Sequence, residues 1–373
     1  MPLDDLRRSI DAIDDEILAL LDQRASIARQ VAQAKRDANV ATYDPERERD
    51  VLARLEAKGA GRFPREAIRA VYREVMSACL ALQEPMKVAF LGPAGTFTHA
   101  AARDLFGLAV RYVEAATIDG VFDAVRRGDA AHGVVPIENS TEGSVTQAVD
   151  ALIDGGVLIR RELVFEVNQC LMSMADGVTR IERVYSHPQA LAQCRVWLAK
   201  NLAAAQLVQT PSTSAAAREA LADAAGAAIG GRLAAELYGL PVLRDKIQDL
   251  AENVTRFVML ASDDAPRTGH DKTSLAFAVH DGRGALRRVL EVFDDNAISL
   301  TRIESRPSRQ KAWDYVFLAD FEGHRDDANV RAAMTILSER CPMLKHLGSY
   351  PRYQGHAAAA DPRPRGGLEM QSA

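Results

Sequence analysis

LDDLRRSIDAIDDEILALLDQRASIARQVAQAKRDAN, residues 3–39, contains neither glycine nor proline. Within it Leu6, Ile10, Ile13, Ile17, Leu20, Ala28 and Val31 recur at three- and four-residue steps, the period of an α-helix. The run predicts a single helix of about 35 residues and roughly 50 Å. Helices in ordinary domains are far shorter, and one this long needs partners along its length. A second helix is predicted from Asp44-Pro45-Glu46, with Asp as N-cap and Pro at the first helical position. It ends by Gly59-Ala60-Gly61, and a third runs from Pro64 to Gln83. Three helices with one so extended cannot bury their apolar faces alone, which predicts an intertwined helical dimer over residues 1–84.

Glu84-Pro85-Met86 reads as a short linker, and from Lys87 the pattern changes. Short Val/Ile/Leu runs alternate with helical stretches up to about residue 262. That alternation predicts an α/β domain over 87–262 with mostly parallel sheets, as one body or as two lobes around a cleft. Residues 272–351 follow the order strand 273–279, helix 284–295, strand 299–305, strand 313–321, helix 326–339, strand 344–349. This βαββαβ order is that of a ferredoxin-like α+β fold. The tail 354–373, rich in Ala, Pro and Gly, reads as disordered.

Composition narrows the function. Of 373 residues, 47% are hydrophobic and 26% charged, and 46 Lys plus Arg stand against 51 Asp plus Glu for a net charge of −5. A nucleic-acid binder usually carries a basic excess, which is missing here. Local cationic clusters remain able to hold small anions. No run approaches the length of a membrane-spanning helix, and the acidic N-terminus has no apolar core of a secretory signal. Cys79, Cys170, Cys194 and Cys341 lie far apart, which argues against a disulfide framework or a zinc site and for a cytoplasmic protein.

The strongest physical signal is on the first helix. At about 100° per residue with Leu6 at zero, Arg24 falls near 0° and Lys35 near 20°, inside the apolar stripe. A cation there is costly unless paired or neutralised by an anion. Snorkelling and pairing with acidic groups of the second helix is the plain alternative. Arg7 lies about 100° away from both, a poor position for sharing their site on one straight helix, but it could reach the equivalent site of an antiparallel partner helix. Cys79 and Gln83, four apart on the third helix, join the same face. In the middle domain four polar clusters end predicted strands, where α/β sheets bind ligands: GPAGTFTH (92–99), PIENSTEGS (136–144), SHPQA (186–190) and ENVTRF (252–257). None is a P-loop or a dinucleotide fingerprint, and no G-x-S-x-G elbow is present. Thr96 and Thr98 at a helix start can face a carboxylate; Ser144 and Ser212 read as helix caps.

These residues resemble three known families in succession. L-R-x-x-I-D-x-I-D, Arg24, Lys35, D44-x-x-R47-E48 and C79-x-x-x-Q83 resemble the all-helical chorismate mutase domain, whose sites are shared between two interlocked chains and need no cofactor. The resemblance implies that Arg24 and the partner's Arg7 clamp substrate carboxylates, and that Lys35 and Gln83 donate to the ether oxygen. It places Glu48 and Asp44 at the ring hydroxyl, with Arg47 in support. Cys79 stands where a hydroxyl residue is usual, and a thiol is the weaker donor. The four middle clusters, above all N253-x-T255-R256-F257, resemble prephenate dehydratase, which is similar in fold to two-lobed periplasmic binding proteins. There Thr255 matches the essential residue. Thr96, Asn139, Ser140 and Thr141 are implied substrate contacts, Arg256 either a carboxylate partner or equally a structural ion pair, and Glu138 a proton source. Gly284-Ala285-Leu286 and Glu304-Ser305-Arg306-Pro307 resemble the ACT regulatory domain, where phenylalanine binds between paired domains; Arg287 departs from the small apolar residue usual after that first triplet.

The sequence is thus expected to encode a two-step enzyme of phenylalanine biosynthesis. Its substrates would be chorismate and prephenate, its effector phenylalanine, its assembly a homodimer or larger, and it would use no metal and no cofactor. The rivals are a non-enzymatic amino-acid sensor, and a dehydratase with a weakened mutase half.

Overall fold

The computed structural model describes residues 2–38, 43–59, 61–83, 86–280, 282–307 and 315–353. The expected linker at 84–85, the start of the strand expected at 313 and the expected disorder of 354–373 lie outside them.

Helix α1 (Leu3–Asp37) is one uninterrupted rod, followed by α2 (Pro45–Lys58) and α3 (Arg65–Ala81). Asp44 caps α2, its carboxylate accepting from the Arg47 N–H at 2.9 Å. The apolar stripe of α1 is left bare by its own chain: Leu6, Ile10, Ile13 and Ile17 are 45–58% exposed, and Ala32 alone on the helix is fully buried.

The middle domain has two lobes. The first contains β1 (Lys87–Leu91), α4 (Phe97–Phe106), β2 (Arg111–Ala115), α5 (Ile118–Arg126), β3 (His132–Asn139), β4 (Gly143–Ser144), α6 (Thr146–Asp154) and β5 (Leu158–Glu166). The second contains β6 (Cys170–Met172), β7 (Arg183–Ser186), α7 (Pro188–Gln193), α8 (Arg195–Asn201), β8 (Gln206–Gln209), α9 (Thr213–Ala222), β9 (Gly226–Gly230), α10 (Arg232–Tyr238) and β10 (Val242–Arg244). The chain then returns to the first lobe as β11 (Val254–Ala261). The sheets are ordered β2-β1-β3-β11-β5, with β4 on β3, and β10-β6-β9-β7-β8.

Both sheets are mixed, which corrects the expectation of mostly parallel ones. Strand β11 enters the first sheet from the far lobe, so it runs antiparallel to both β3 and β5. Strands β6 and β10 likewise join the second sheet antiparallel. The two crossings between lobes, β5 to β6 and β10 to β11, sit side by side and frame a cleft.

The C-terminal domain follows the expected βαββαβ order: β12 (Asp271–Ala278), α11 (Ala285–Asp295), β13 (Leu300–Pro307), β14 (Tyr315–Glu322), α12 (Ala328–Arg340) and β15 (Met343–Pro351), in sheet order β13-β14-β12-β15. Its helices cover one face around Val289, Phe293, Phe321 and Leu337. The other face fuses with the first lobe, Ala276, Leu318, Leu347 and Tyr350 packing in one core with Val135, Ile159 and Val258. The approach is so close that a Cβ on Gly348 (φ +142°) would lie 2.2 Å from the Ile159 carbonyl oxygen. The helical domain docks through α3: Arg73 pairs with Asp104, the Ser77 hydroxyl donates to the Phe106 carbonyl at 2.8 Å, and Glu74 accepts from the Leu108 N–H at 2.9 Å. Among the described residues no helix is long and apolar enough to cross a membrane.

Candidate active sites

A cavity of about 680 Å³ opens between the C-terminal half of α1, the start of α2 and the end of α3. It brings together Arg24, Lys35, Asp44, Arg47, Glu48, Cys79 and Gln83, every helical-domain residue singled out above except Arg7. Four cations (Arg24, Lys35, Arg47, Arg54) face two carboxylates (Asp44, Glu48) around walls of Ile27, Val31, Val51 and Met76. Such a lining favours a guest with two negative charges and an apolar body. Among the described residues Arg24 pairs with no carboxylate; its Nη1 donates to the Val75 carbonyl at 3.5 Å. Gln83 turns a buried amide oxygen with no hydrogen-bond partner among the described residues into this region. Glu48 is half-buried, and its desolvation raises its pKa against the opposing charges of Arg161, Arg73 and Arg69. Arg7 sits in the first turns of α1, two-thirds exposed beside Asp4, far along the rod from its own chain's cavity.

Sequence reading missed what closes this cavity. Phe106 of the two-lobed domain forms part of its wall, and Tyr43 packs its ring on Phe106 and His132 at centroid distances of 5.4 and 5.3 Å. Arg161, on β5, approaches Tyr43 and Glu48 from behind. A signal was present: Leu158–Glu166 places Arg160, Arg161 and Glu162 consecutively in a strand covered on both faces, where charges need partners.

A second cavity, about 490 Å³, lies in the cleft between the lobes. Thr96, Asn139 and Thr255 line it, with Thr98, Gln169, His187, Gln193, Ser212 and Thr213. Thr255 pairs in register with Asn139 across β11 and β3. Asn139 accepts from the Thr141 N–H (2.9 Å) and hydroxyl (2.5 Å), which directs its amide nitrogen to the Thr255 Oγ1 (2.8 Å) and the Asn253 Oδ1 (3.1 Å). Asn253 donates to Gln193, and Gln169 does the same, tying both lobes to one hub. The Thr255 oxygen is thereby an acceptor toward Asn139, and its own hydrogen is left to point at the cavity. Thr96 caps α4 and donates to the Leu91 carbonyl. His187 Nδ1 accepts from the Gln189 N–H, so Nε2 is its available nitrogen.

Four expected contacts with the substrate are not in this cavity. Arg256 and Glu138 are in register with each other, one residue from Thr255 and Asn139, so the alternation of a strand turns them to the opposite face. There Arg256 forms a buried hub with Glu162 (2.8 Å), Asp320 (2.7 Å) and the Tyr350 hydroxyl (2.8 Å), and Glu138 stands 3.6 Å from it and from Arg302. Ser140 and Thr141 shape the loop instead: the Ser140 hydroxyl accepts from the Val254 N–H, and Thr141 orients Asn139.

The expected effector residues also separate. Gly284 (φ +75°) precedes α11, and Leu286 packs into the C-terminal core. Glu304 and Arg306 face the first lobe, Glu304 bonding Ser144 and Arg306 meeting Asp150 at 2.9 Å and the Thr146 carbonyl at 3.1 Å. Ser305 lies on the other face of β13.

Comparison with known proteins follows the same division. The profile of chorismate mutase type II matches residues 6–84, that of prephenate dehydratase 88–265, and that of the ACT domain 273–338. A bifunctional chorismate mutase/prephenate dehydratase of Aquifex aeolicus (strain VF5) is 45% identical over 94% of this chain and 98% of its own length. One from Pseudomonas aeruginosa is 41% identical over 93% and 97%. A crystal structure of the Arthrobacter aurescens prephenate dehydratase in complex with L-Phe aligns with a TM-score of 0.66 at 36% identity, covering 72% of this chain and 90% of that one.

Proposed function

The chain belongs to the bifunctional chorismate mutase/prephenate dehydratase family, and from that premise we propose how its two cavities divide the work. The helical cavity rearranges chorismate to prephenate. Arg24 takes one substrate carboxylate, and the second is clamped by Arg7 of a partner chain laid antiparallel on the bare stripe of α1. Lys35 and Gln83 face the ether oxygen, where negative charge grows as the bond breaks, so they stabilise the transition state more than the substrate. Glu48 accepts from the ring hydroxyl, with Asp44 and Arg47 at the same corner, and Cys79 fills the wall. The reaction is unimolecular, so holding the reactive conformer is most of the task.

The cleft between the lobes then converts prephenate to phenylpyruvate. One proton is consumed as the ring hydroxyl leaves as water, and the ring carboxylate leaves as carbon dioxide. The Thr255 hydroxyl, with its hydrogen directed into the cleft, bonds the departing oxygen. Asn139 fixes that hydroxyl, and Thr96 with the start of α4 receives a carboxylate. The ACT domain binds phenylalanine and feeds back on this step. Four free, buried cysteines accord with a reducing, cytoplasmic setting.

One observation carries the reading: a single chain holds two separate cavities, one net cationic and apolar-walled, the other lined by hydroxyls and amides. The direct test gives purified protein chorismate alone. Phenylpyruvate is expected to form without added cofactor, and more slowly with phenylalanine. Untouched chorismate would overturn the first assignment, and accumulating prephenate the second.

A shared site makes a sharper prediction. Arg7→Ala and Arg24→Ala each remove mutase activity, yet a mixed dimer rebuilds one intact site from the two unmodified residues. After unfolding and refolding together in equal amounts, about a quarter of wild-type mutase activity returns, since half the dimers are mixed and each has one good site. No recovery would mean that Arg7 acts within its own chain or not at all.

A further inference from the structure

Strand β5 turns Glu162 to the face that meets the C-terminal domain and Arg161 to the other, while Arg160, at a bulge opposite Met259 and Leu260, pairs with Asp263 beside Tyr43 and His132. The Arg161 guanidinium is enclosed, with Tyr43, Glu48 and Asp104 acting on it. Its Nη1 and the Tyr43 hydroxyl are both buried, and the guanidinium is directed at that hydroxyl. Tyr43 and Glu48 both line the helical cavity, whereas Arg161 stands outside it. A buried cation directed at Tyr43 and set behind two side chains that face a substrate is arranged to act through them.

We propose that Arg161, a residue of the dehydratase domain, is a positioning residue for the mutase reaction: from behind the cavity it holds Tyr43, and through it the corner at Glu48, toward the substrate. This rests on reading the helical cavity as the mutase site. The same contact makes the mutase site incomplete without its neighbouring domain, since Phe106 and His132 fix the Tyr43 ring.

The charges facing Glu48 define the expected pH response. Burial raises its proton affinity; Arg161 is the strongest opposing charge, followed by Arg73 and Arg69 from α3. Tyr43 adjoins it, and Arg24 and Lys35 of α1 line the same cavity. Loss of Arg161 therefore raises Glu48 further, and its carboxylate form is lost at a higher pH on acidification.

The test uses the full chain with Arg161→Gln, Arg161→Lys and Tyr43→Phe, each assayed separately on chorismate and on prephenate across pH. Arg161→Gln lowers mutase kcat/KM about tenfold at pH 7 and moves its acidic limb upward, the factor of one charge-assisted contact. Arg161→Lys returns the limb toward wild type, Tyr43→Phe lowers the rate with the limb in place, and turnover of prephenate is unchanged throughout. A mutase limb unmoved in Arg161→Gln overturns the proposal, and so does an equal loss of both activities in a folded protein. If Arg161→Gln fails to fold, wild-type mutase kcat/KM in both other variants overturns it. Wild-type protein inert toward chorismate would instead defeat the parent reading.

Discussion

Thr255→Val is expected to abolish prephenate turnover while chorismate is still consumed at the wild-type rate, so that prephenate accumulates. The substitution keeps the shape of a side chain that is only 6% exposed and removes one oxygen. That oxygen has two duties in the cleft. It accepts from the Asn139 amide at 2.8 Å, and the donation it receives leaves its hydrogen free for the substrate. A hydroxyl is too weak an acid to surrender a proton outright, so its contribution is a hydrogen bond that strengthens as charge develops on the leaving oxygen. Positioned donors and acids of this kind contribute roughly 10²–10⁴ in rate. Asn139 keeps the Asn253 oxygen as a partner at 3.1 Å, so the fold tolerates the change and the melting temperature moves little. Thr255→Ser, which restores the hydroxyl, recovers most of the rate. If Thr255→Val keeps more than about a tenth of wild-type kcat, the proton chemistry lies elsewhere in the cleft.

How much of this was legible beforehand follows from which residues interact locally. The long helix, its capped successor at Asp44 and the βαββαβ order at the C-terminus are written in short-range period and turn chemistry, and they appear where expected. Arg24 and Lys35 stood out because a cation in an apolar stripe is a local contradiction, and a cavity lies beside both. Strand direction was not legible, because β11 pairs with strands distant in the chain, Arg256 with Val164 of β5 and with Glu138 of β3. For Arg256 the ion-pair alternative holds, and its placing with Glu138 at the substrate failed for a simpler reason. Thr255 and Arg256 are consecutive in one strand, as are Glu138 and Asn139, so no strand geometry aims both members of either pair at one ligand. Applying the two-residue period to ENVTRF and PIENS would have sent Arg256 and Glu138 to the far face from the outset. The roles of Tyr43, Phe106 and Arg161 depend on how two domains dock, for which a single chain's sequence carries only the hint of unexplained charge in β5.

Arg256→Met is the second large effect, and it falls on stability and regulation. The Arg256 guanidinium is 12% exposed and satisfies Glu162 and Asp320, themselves 3% and 7% exposed, together with the Tyr350 hydroxyl. Burial alone would weaken its hold on the proton, but Tyr350, Asp320 and Glu162 more than reverse that. Methionine fits the volume but leaves two carboxylates facing each other across the seam between the first lobe and the C-terminal domain. Lys272 still meets Glu162 at 3.0 Å and Ser274 still donates to Asp320 at 2.6 Å, so the loss is partial at each. Breaking one partner out of a buried pair costs about 3–5 kcal/mol, seen as a lower melting temperature at pH 7. Arg256→Lys does not rescue it, because a single ammonium cannot make the three directed contacts of the fork. The sign with pH follows from Asp320, whose pKa lies below the usual carboxylate value despite burial, chiefly through Arg256. Its contribution is present at neutral pH and is lost as acid protonates it, so the gap between Arg256→Met and wild type narrows on acidification. Phenylalanine inhibition is expected to weaken in the same variant, since Arg256 joins the strand carrying Thr255 to the sheet of the ACT domain. An unchanged melting temperature at pH 7 with full phenylalanine sensitivity would show that this seam is held by its apolar core around Ile159, Leu347 and Tyr350 alone.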